Sequence, residues 1–352
     1  MKLLRREILK ILGLGAAGFG LGDRTMGTAL AEAAKGTEHV AAMKGTVNFK
    51  GFTAKEITPN EEFYITSYSD NVPAISSGRF RLRVDGLVER PLSLSMKELD
   101  GMLDMKEYVT LECIGNPVGG SAIGNALWEG VSLKKIIDMA GPRAGIIKTA
   151  FHAEDGYSDS IPYNLSLAPY VFLAWRMNGE PLPARHGYPL RVIVPGIYGM
   201  KNVKWLSRIE LVNYDFKGYW EKQGWSDEAV IPIKSQILMP MEGKTIPLAP
   251  YVLGGVAFAG RYGIRRVQVS WDGEKTWHDA ELKQPLSPWA WTLWRYDWKP
   301  PKEGSYTLSV RGVDREGRLQ ESAGIIRSLL GTTFPAGAKG YHSVEVKVRK
   351  TS

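Results

Sequence analysis

The chain has 352 residues, 44% apolar and 23% charged. That balance excludes a disordered chain and gives length for about two domains with buried cores. Its one cysteine, Cys113, excludes an intrachain disulfide framework, a cysteine-rich zinc module, an all-cysteine iron–sulfur site and a Cys-x-x-Cys-His haem attachment. The formal net charge is +8, and residues 1–31, with Lys2, Arg5, Arg6, Lys10 and Arg24 against Glu7 and Asp23, carry +3 of it. A mild basic excess fits an anionic cofactor, an anionic substrate or an acidic partner. No basic run is interleaved with aromatics, so nucleic acid is not an expected partner.

Residues 1–31 read as an export signal. Arg5-Arg6 precedes Glu7-Ile8-Leu9-Lys10, a glycine-rich apolar stretch runs from Ile11 to Leu21, and Ala29-Leu30-Ala31 offers a small-residue cleavage site. The pattern predicts twin-arginine export to the periplasm, with an uncleaved membrane anchor as the alternative. This route carries folded proteins, often with a cofactor already inside. Gly13, Gly15 and Gly18 spell a dinucleotide fingerprint. No strand precedes them, and a removed segment binds nothing in the mature chain.

Residues 32–60 are expected to be a poorly structured lead-in. From residue 61 to about 230 the chain mixes strands and short helices. Phe80–Val84 alternates and ends at the Asp85-Gly86 turn. Ser95 caps a short helix through Leu99, and Glu98 completes a capping box. Tyr108–Cys113 reads as a strand running into Gly115-Asn116-Pro117. Leu133–Ala140 is an amphipathic helix after Ser132, stopped by Gly141-Pro142. Leu190–Val194 is a buried strand. From 231 to 352 the character changes. Strands are predicted over Arg266–Trp271, Trp291–Trp298, Tyr306–Val313 and Tyr341–Val348, with turns at Asp272-Gly273 and Asp314–Gly317. Short, regularly spaced strands predict an antiparallel β-sandwich, its tryptophans mostly core filler.

No G-x-S-x-G elbow, P-loop or histidine pair at metal spacing occurs. Cys113 stands at a strand end beside a Gly-Asn turn. It reads either as a buried small hydrophobe or as a soft thiolate ligand for a redox metal. A second cluster holds His186, Arg191, Lys201 and Lys204 among Gly187, Gly196 and Gly199. Glycines admit close backbone approach and cations neutralise phosphate, so a phosphorylated cofactor fits; solvated lysines and a capping histidine fit as well.

Together these stretches resemble the sulfite oxidase family of molybdenum enzymes. Leu111-Glu112-Cys113-Ile114-Gly115-Asn116 is similar to its Cys-x-Gly-Asn motif. His186-Gly187-Tyr188-Pro189-Leu190-Arg191 and Val203-Lys204-Trp205-Leu206 are similar to its cofactor-phosphate motifs, and Phe63-Tyr64 to its amino-terminal motif. The tail, with Val269–Gly273, Thr276-Trp277, Trp289-Ala290-Trp291 and Trp294, resembles its immunoglobulin-like dimerisation domain. The resemblance implies an α+β chain, with a molybdopterin-binding domain over 61–230 and an immunoglobulin-like sandwich over 231–352. It also implies that Cys113 binds molybdenum, while Tyr64, His186, Arg191, Asn202, Val203 and Lys204 hold the pterin and its phosphate. The implied activity is two-electron chemistry, commonly oxygen-atom transfer, on a small oxo-substrate. Electrons would pass to or from an external protein, such as a periplasmic cytochrome or a quinone-linked membrane subunit. A homodimer is implied and no haem is expected.

The departures concern the substrate. Sulfite-oxidising members carry an arginine where Thr66 stands, a second where Asn116-Pro117-Val118-Gly119 runs, and a catalytic tyrosine where Phe216 falls in Asp215-Phe216-Lys217-Gly218. Thr and Val replace the charge-assisted bonds of arginine poorly, and Phe donates no hydrogen bond. A less charged substrate, such as a sulfoxide, is therefore expected, with Lys201 or Lys217 as the available cation. The alternatives are a sulfite dehydrogenase with a rearranged anion site, a non-catalytic binding module on the same fold, and an enzyme with another anionic cofactor.

Overall fold

Alternation of side chains builds most of the strands. In Arg81–Gly86, Leu82 and Val84 point inward while Arg81 and Arg83 face water; in His342–Arg349, Val344, Val346 and Val348 do the same. The structure, a computed structural model, describes residues 45–323 and 333–350. The expected export signal over 1–31 and residues 32–44 of the lead-in lie outside the described residues.

Two five-stranded sheets carry the first half. One runs Glu180–Pro181, Phe172–Met177, Ile123–Ser132, Met105–Glu112, with Arg191–Ile193 also paired to Phe172–Met177. The other runs Leu92–Ser95, Arg81–Gly86, Leu206–Val212, Lys148–Ala153, Ser158–Pro162. Its pairing of Leu206–Val212 with Arg81–Gly86 is parallel and its others antiparallel. Helices are few and short. Met96–Asp100 has the expected capping box, Ser95 and Glu98 bonding each other's backbone. Leu133–Ala140 ends at Gly141 in the left-handed region, but Ser132 makes no side-chain cap; its N–H donates to Asp104 Oδ1 at 2.8 Å instead.

The second half is a β-sandwich. One sheet runs Lys234–Met239, Tyr251–Phe258, Thr292–Trp298, Glu281–Leu282. The other runs Thr245–Pro247, His342–Arg349, Gly304–Asp314, Ile264–Ser270, His278–Asp279. Trp294, Trp298, Val267 and Val310 fill the core between them.

The lead-in departs from expectation. Residues 45–60 are structured: Thr46–Phe49 and Phe52–Lys55 form a hairpin around Lys50-Gly51, both at positive φ. Asn48 Oδ1 accepts from Gly51 N at 2.9 Å and fixes the turn. Phe52 is buried against Gly254, where a Cβ would come within 2.4 Å of the ring. Glu56 O then accepts from both Asn125 Nδ2 at 2.8 Å and Trp291 Nε1 at 3.0 Å. The lead-in thus ties the first half to the sandwich.

Candidate functional site

Strand Met105–Glu112 delivers Cys113 to the rim of the sheet. Asn116 closes the loop: its Nδ2 donates to Glu112 Oε1 at 3.1 Å, and its Oδ1 accepts from Ala122 N at 3.0 Å. Cys113 N donates to Ala122 O at 3.0 Å. An asparagine three residues after the cysteine is therefore a clamp that orients the thiol. Burial pushes the Cys113 thiol up, opposed by hydrogen bonds from the Gly115 backbone and the Thr66 hydroxyl. The nearby Glu112 carboxylate pushes the thiol up as well.

The cationic side comes from the loops around strand Arg191–Ile193. Gly187, at φ 112°, lets the chain turn tightly beside Lys204, whose Cβ stands 3.0 Å from where a side chain would start. His186 Nε2 lies 2.8 Å from the Asn60 carbonyl. A carbonyl only accepts, so Nε2 carries the hydrogen and Nδ1 is the lone-pair nitrogen. Burial, with Arg191 and Lys204 nearby, lowers the imidazole to about 4, so it is neutral.

Arg191 is buried and stacks over Trp128 at 4.8 Å. Its Nη1 and Nη2 donate to His186 O at 2.9 Å and Asn202 O at 3.1 Å, while Nε has no partner. Lys204 Nζ bonds Ser67 Oγ at 2.6 Å and Arg185 O at 3.2 Å. Burial, followed by the charge of Arg191, lowers it to about 7. Among the described residues neither cation has a carboxylate in ion-pair contact. A buried guanidinium beside a half-buried ammonium, neither in ion-pair contact with a carboxylate, is costly until an anion joins them.

These groups meet in one cavity of about 290 Å³. Tyr64, Cys113, His186, Arg191, Asn202, Val203 and Lys204 all line it. Gly199 permits the closeness, since a Cβ there would reach within 2.8 Å of Tyr64 Oη. Burial pushes the Tyr64 phenol far up, so it stays protonated. Asn202 has no free amide group for a ligand: Oδ1 accepts from Val194 N at 2.7 Å and Nδ2 donates to the carbonyls of Ile197 and Tyr198. Val203 contributes wall and a carbonyl that accepts from Val192 N at 2.9 Å.

The expectations for the substrate end are corrected in part. Phe216 does not line the cavity. Ser160 Oγ holds its carbonyl at 2.8 Å, and the ring turns edge-on to His152 at 5.6 Å. The segment reaches the cavity later, through Trp220 and Trp225. Val118 faces a separate small cavity with Lys234 and Gln236. Lys201 is not an available cation, because it is buried against Asp159, Glu221 and Asp227. Lys217 is bound by Asp215 and Asp227. Thr66 does line the cavity. Sequence reasoning missed Tyr68, Asp155, Tyr157, Trp220 and Trp225 in the wall. The Asp155-Gly156-Tyr157 turn was the available signal.

A lone thiol sharing a cavity with two cations that lack an ion-paired carboxylate suits a metal carried inside an anionic organic cofactor, and the class is a molybdopterin-dependent oxidoreductase. Residues 69–220 match the family "Oxidoreductase molybdopterin binding domain", and residues 227–349 match "Mo-co oxidoreductase dimerisation domain". Sulfite oxidase from Gallus gallus is 35% identical, the match covering 80% of this chain and 72% of that protein. Nitrate reductase [NADH] 1 from Arabidopsis thaliana is 29% identical over 68% of this chain and 33% of its own. The mitochondrial sulfite oxidase of Rattus norvegicus is 31% identical, with 62% of its length matched. The crystal structure of the sulfane dehydrogenase SoxCD from Paracoccus pantotrophus superposes with a TM-score of 0.69 at 22% identity, covering 94% of this chain and 92% of that one. The chain belongs to the sulfite oxidase family, with its molybdenum–molybdopterin cofactor and its two-part fold.

Proposed function

We propose that this oxidoreductase exchanges an oxygen atom and two electrons with a small, weakly charged oxo-compound such as a sulfoxide. The observation that carries the reading is the meeting of Cys113 with Arg191 and Lys204 in one cavity. Cys113 would ligate molybdenum; Arg191 and Lys204 would neutralise the cofactor phosphate, and Tyr64 and His186 would contact the pterin. The bound cofactor supplies the two-electron chemistry, while the chain orients it and fixes the local charge. Arg191 Nε, buried and unpartnered, is the donor such an anion would satisfy.

The substrate class follows from the cations. Arg191 and Lys204 are the lining residues with cationic side chains besides the neutral His186, and both serve the cofactor. Thr66 touches the cysteine thiol where sulfite-oxidising relatives place an arginine, and Trp220, Trp225 and Tyr68 add apolar wall. Such a site binds a dianion weakly. A second reading, sulfite dehydrogenation with a rearranged anion site, is favoured by the activity that the chicken relative's name states. Electrons would pass one at a time to or from an external carrier protein. The Arg5-Arg6 signal supports periplasmic delivery, and the dimerisation-domain match supports a homodimer in which the sandwich is immunoglobulin-like.

Protein matured in a molybdopterin-competent host is expected to hold about one molybdenum per chain and to reduce sulfoxides with an artificial donor. Cys113→Ser should abolish turnover while leaving the fold intact. Vigorous sulfite-dependent reduction of an acceptor would transfer the assignment to the second reading. Folded protein without molybdenum would remove both.

A further inference from the structure

Behind the cavity wall lies a buried charge cluster that the cofactor pocket does not use. Lys201 Nζ bonds Asp159 Oδ1 at 2.8 Å, Glu221 Oε1 at 2.5 Å and Asp227 Oδ1 at 3.0 Å. The side chains of Asp159 and Glu221 are 0% and 2% exposed. Asp227 is shared outward with Lys148 and Lys217, and Asp215 joins these at the surface. One buried cation therefore faces two fully buried carboxylates. Glu221 Oε2 has no partner at all.

The hydrogen-bond geometry locates a proton. Tyr157 Oη stands 2.8 Å from Asp159 Oδ2 and 2.9 Å from the Met200 carbonyl oxygen. A phenol has one hydrogen, and a carboxylate and a carbonyl both accept. With Asp159 ionised, one of these two short contacts has no hydrogen of its own. With a proton on Oδ2, both are satisfied: the carboxyl O–H donates to Tyr157 Oη, and the phenol O–H donates to Met200 O. Asp159 Oδ1 is already occupied as an acceptor, by Lys201 Nζ and by Ser160 N at 2.7 Å. The charges agree. Burial, opposed by Lys201 and reinforced by Glu221, raises Asp159 to about 7. Burial, with the charges of Glu221 and Asp155, keeps the Tyr157 phenol protonated.

Tyr157 and Met200 both line the cavity. We propose that Tyr157 and Asp159 form a two-step relay that delivers a proton from the buried Lys201 cluster to the oxygen of a substrate in the cavity. The inference rests on the oxo-compound reading above. Reduction of a sulfoxide consumes two protons and two electrons and releases sulfide and water; the external donor supplies the electrons. For one of the protons, the phenol O–H turns from the Met200 carbonyl toward the cavity, and the Tyr157 O–H bond breaks as the substrate oxygen gains hydrogen. The Asp159 Oδ2–H bond breaks as the phenolate oxygen regains it. Asp159 is left as a carboxylate beside Lys201, and solvent reloads the cluster where it surfaces at Asp215 and Lys217.

Infrared difference spectra of the holoenzyme, taken below and above neutral pH, test the store without turnover. The expected band is a protonated-carboxyl C=O stretch that shifts in D2O, disappears as pH rises through about 7, and is missing in Asp159→Asn. Tyr157→Phe keeps the ring packing and should move the band while lowering kcat by about 100-fold, with KM within about twofold. Absence of the band in wild type, its survival in Asp159→Asn, or an unchanged kcat in Tyr157→Phe overturns the relay. A holoenzyme that shows the band but turns over no oxo-compound overturns the substrate reading, and the relay's purpose with it, while Asp159 keeps its proton.

Discussion

His186 shows how a side chain can serve folding and binding at once. Its Nε2–H is spent on the Asn60 carbonyl, which belongs to the structured lead-in, and its ring packs edge-on to Phe63 at 5.7 Å. Protonation would place a second hydrogen, and a charge, beside Arg191 and Lys204. The folded imidazole therefore titrates near 4, against 6.5 for an ordinary one. The unfolded chain binds more protons between those values, so this group's share of stability is present at neutral pH and fades as pH falls through the window. Asp159, whose proton is held more tightly in the folded state, works in the opposite sense, with stability rising as pH falls from about 7. A difference measurement separates them: urea unfolding of wild type and His186→Gln should differ most at neutral pH and converge toward pH 4. A constant difference across that range would show that the imidazole is not neutral when folded. The residues read from sequence at Tyr64, Cys113, His186, Arg191, Asn202, Val203 and Lys204 share one cavity. The Asp155-Gly156-Tyr157 turn was legible as a turn, but nothing in the local spacing of Tyr157 or Trp220 says that separate loops meet at the same wall. Phe216 was misplaced for the same reason: identity at a motif position does not say where the ring turns.

At the scale of elements, what was legible is what local chemistry determines. The Ser95 hydroxyl accepts from Glu98 N at 3.2 Å and Glu98 Oε2 accepts from Ser95 N at 2.7 Å, so the box closes the first turn of Met96–Asp100 from both sides. Leu99, buried on that helix, depends on the entry angle so fixed. Ser95→Ala is expected to lower unfolding free energy by about 1 kcal/mol, read by urea denaturation with unchanged m-value. Strands with period-two alternation were equally legible, down to the Asp272 turn, where Oδ1 accepts from Lys275 N at 3.0 Å and Thr276 N at 3.1 Å. The hairpin at Thr46–Lys55 was not. Its strands have four residues each, too short for a periodic signal, and Phe52 packs against Gly254, some 200 residues away. Ser132 marks the other limit: a capping residue type was in place, yet tertiary structure gave its N–H to Asp104 and used no side-chain bond.

Among the described residues, the largest buried cluster ignores the change of character near residue 231. One cluster of buried side chains joins Phe52 and Ala54 of the lead-in, Leu82, Phe151 and Val192 of the first half, and Val256, Phe258, Trp291 and Leu293 of the sandwich. Trp291 is the pivot. Its backbone N–H donates to Thr110 Oγ1 at 2.8 Å and its Nε1 donates to Glu56 O at 3.0 Å, so three segments distant in sequence meet on one residue. Thr110 lies on strand Met105–Glu112, which runs directly into Cys113 and so couples the sandwich to the position of the thiol. Trp291→Ala removes a large buried ring and leaves the Glu56 carbonyl without one of its donors. The expected loss is about 3–5 kcal/mol. Because the core is shared, calorimetry of wild type should show both halves melting in one transition, and the variant should melt lower but still once. Two separate transitions in wild type would mean that the sandwich folds on its own and that Trp291 only fills space between independent bodies.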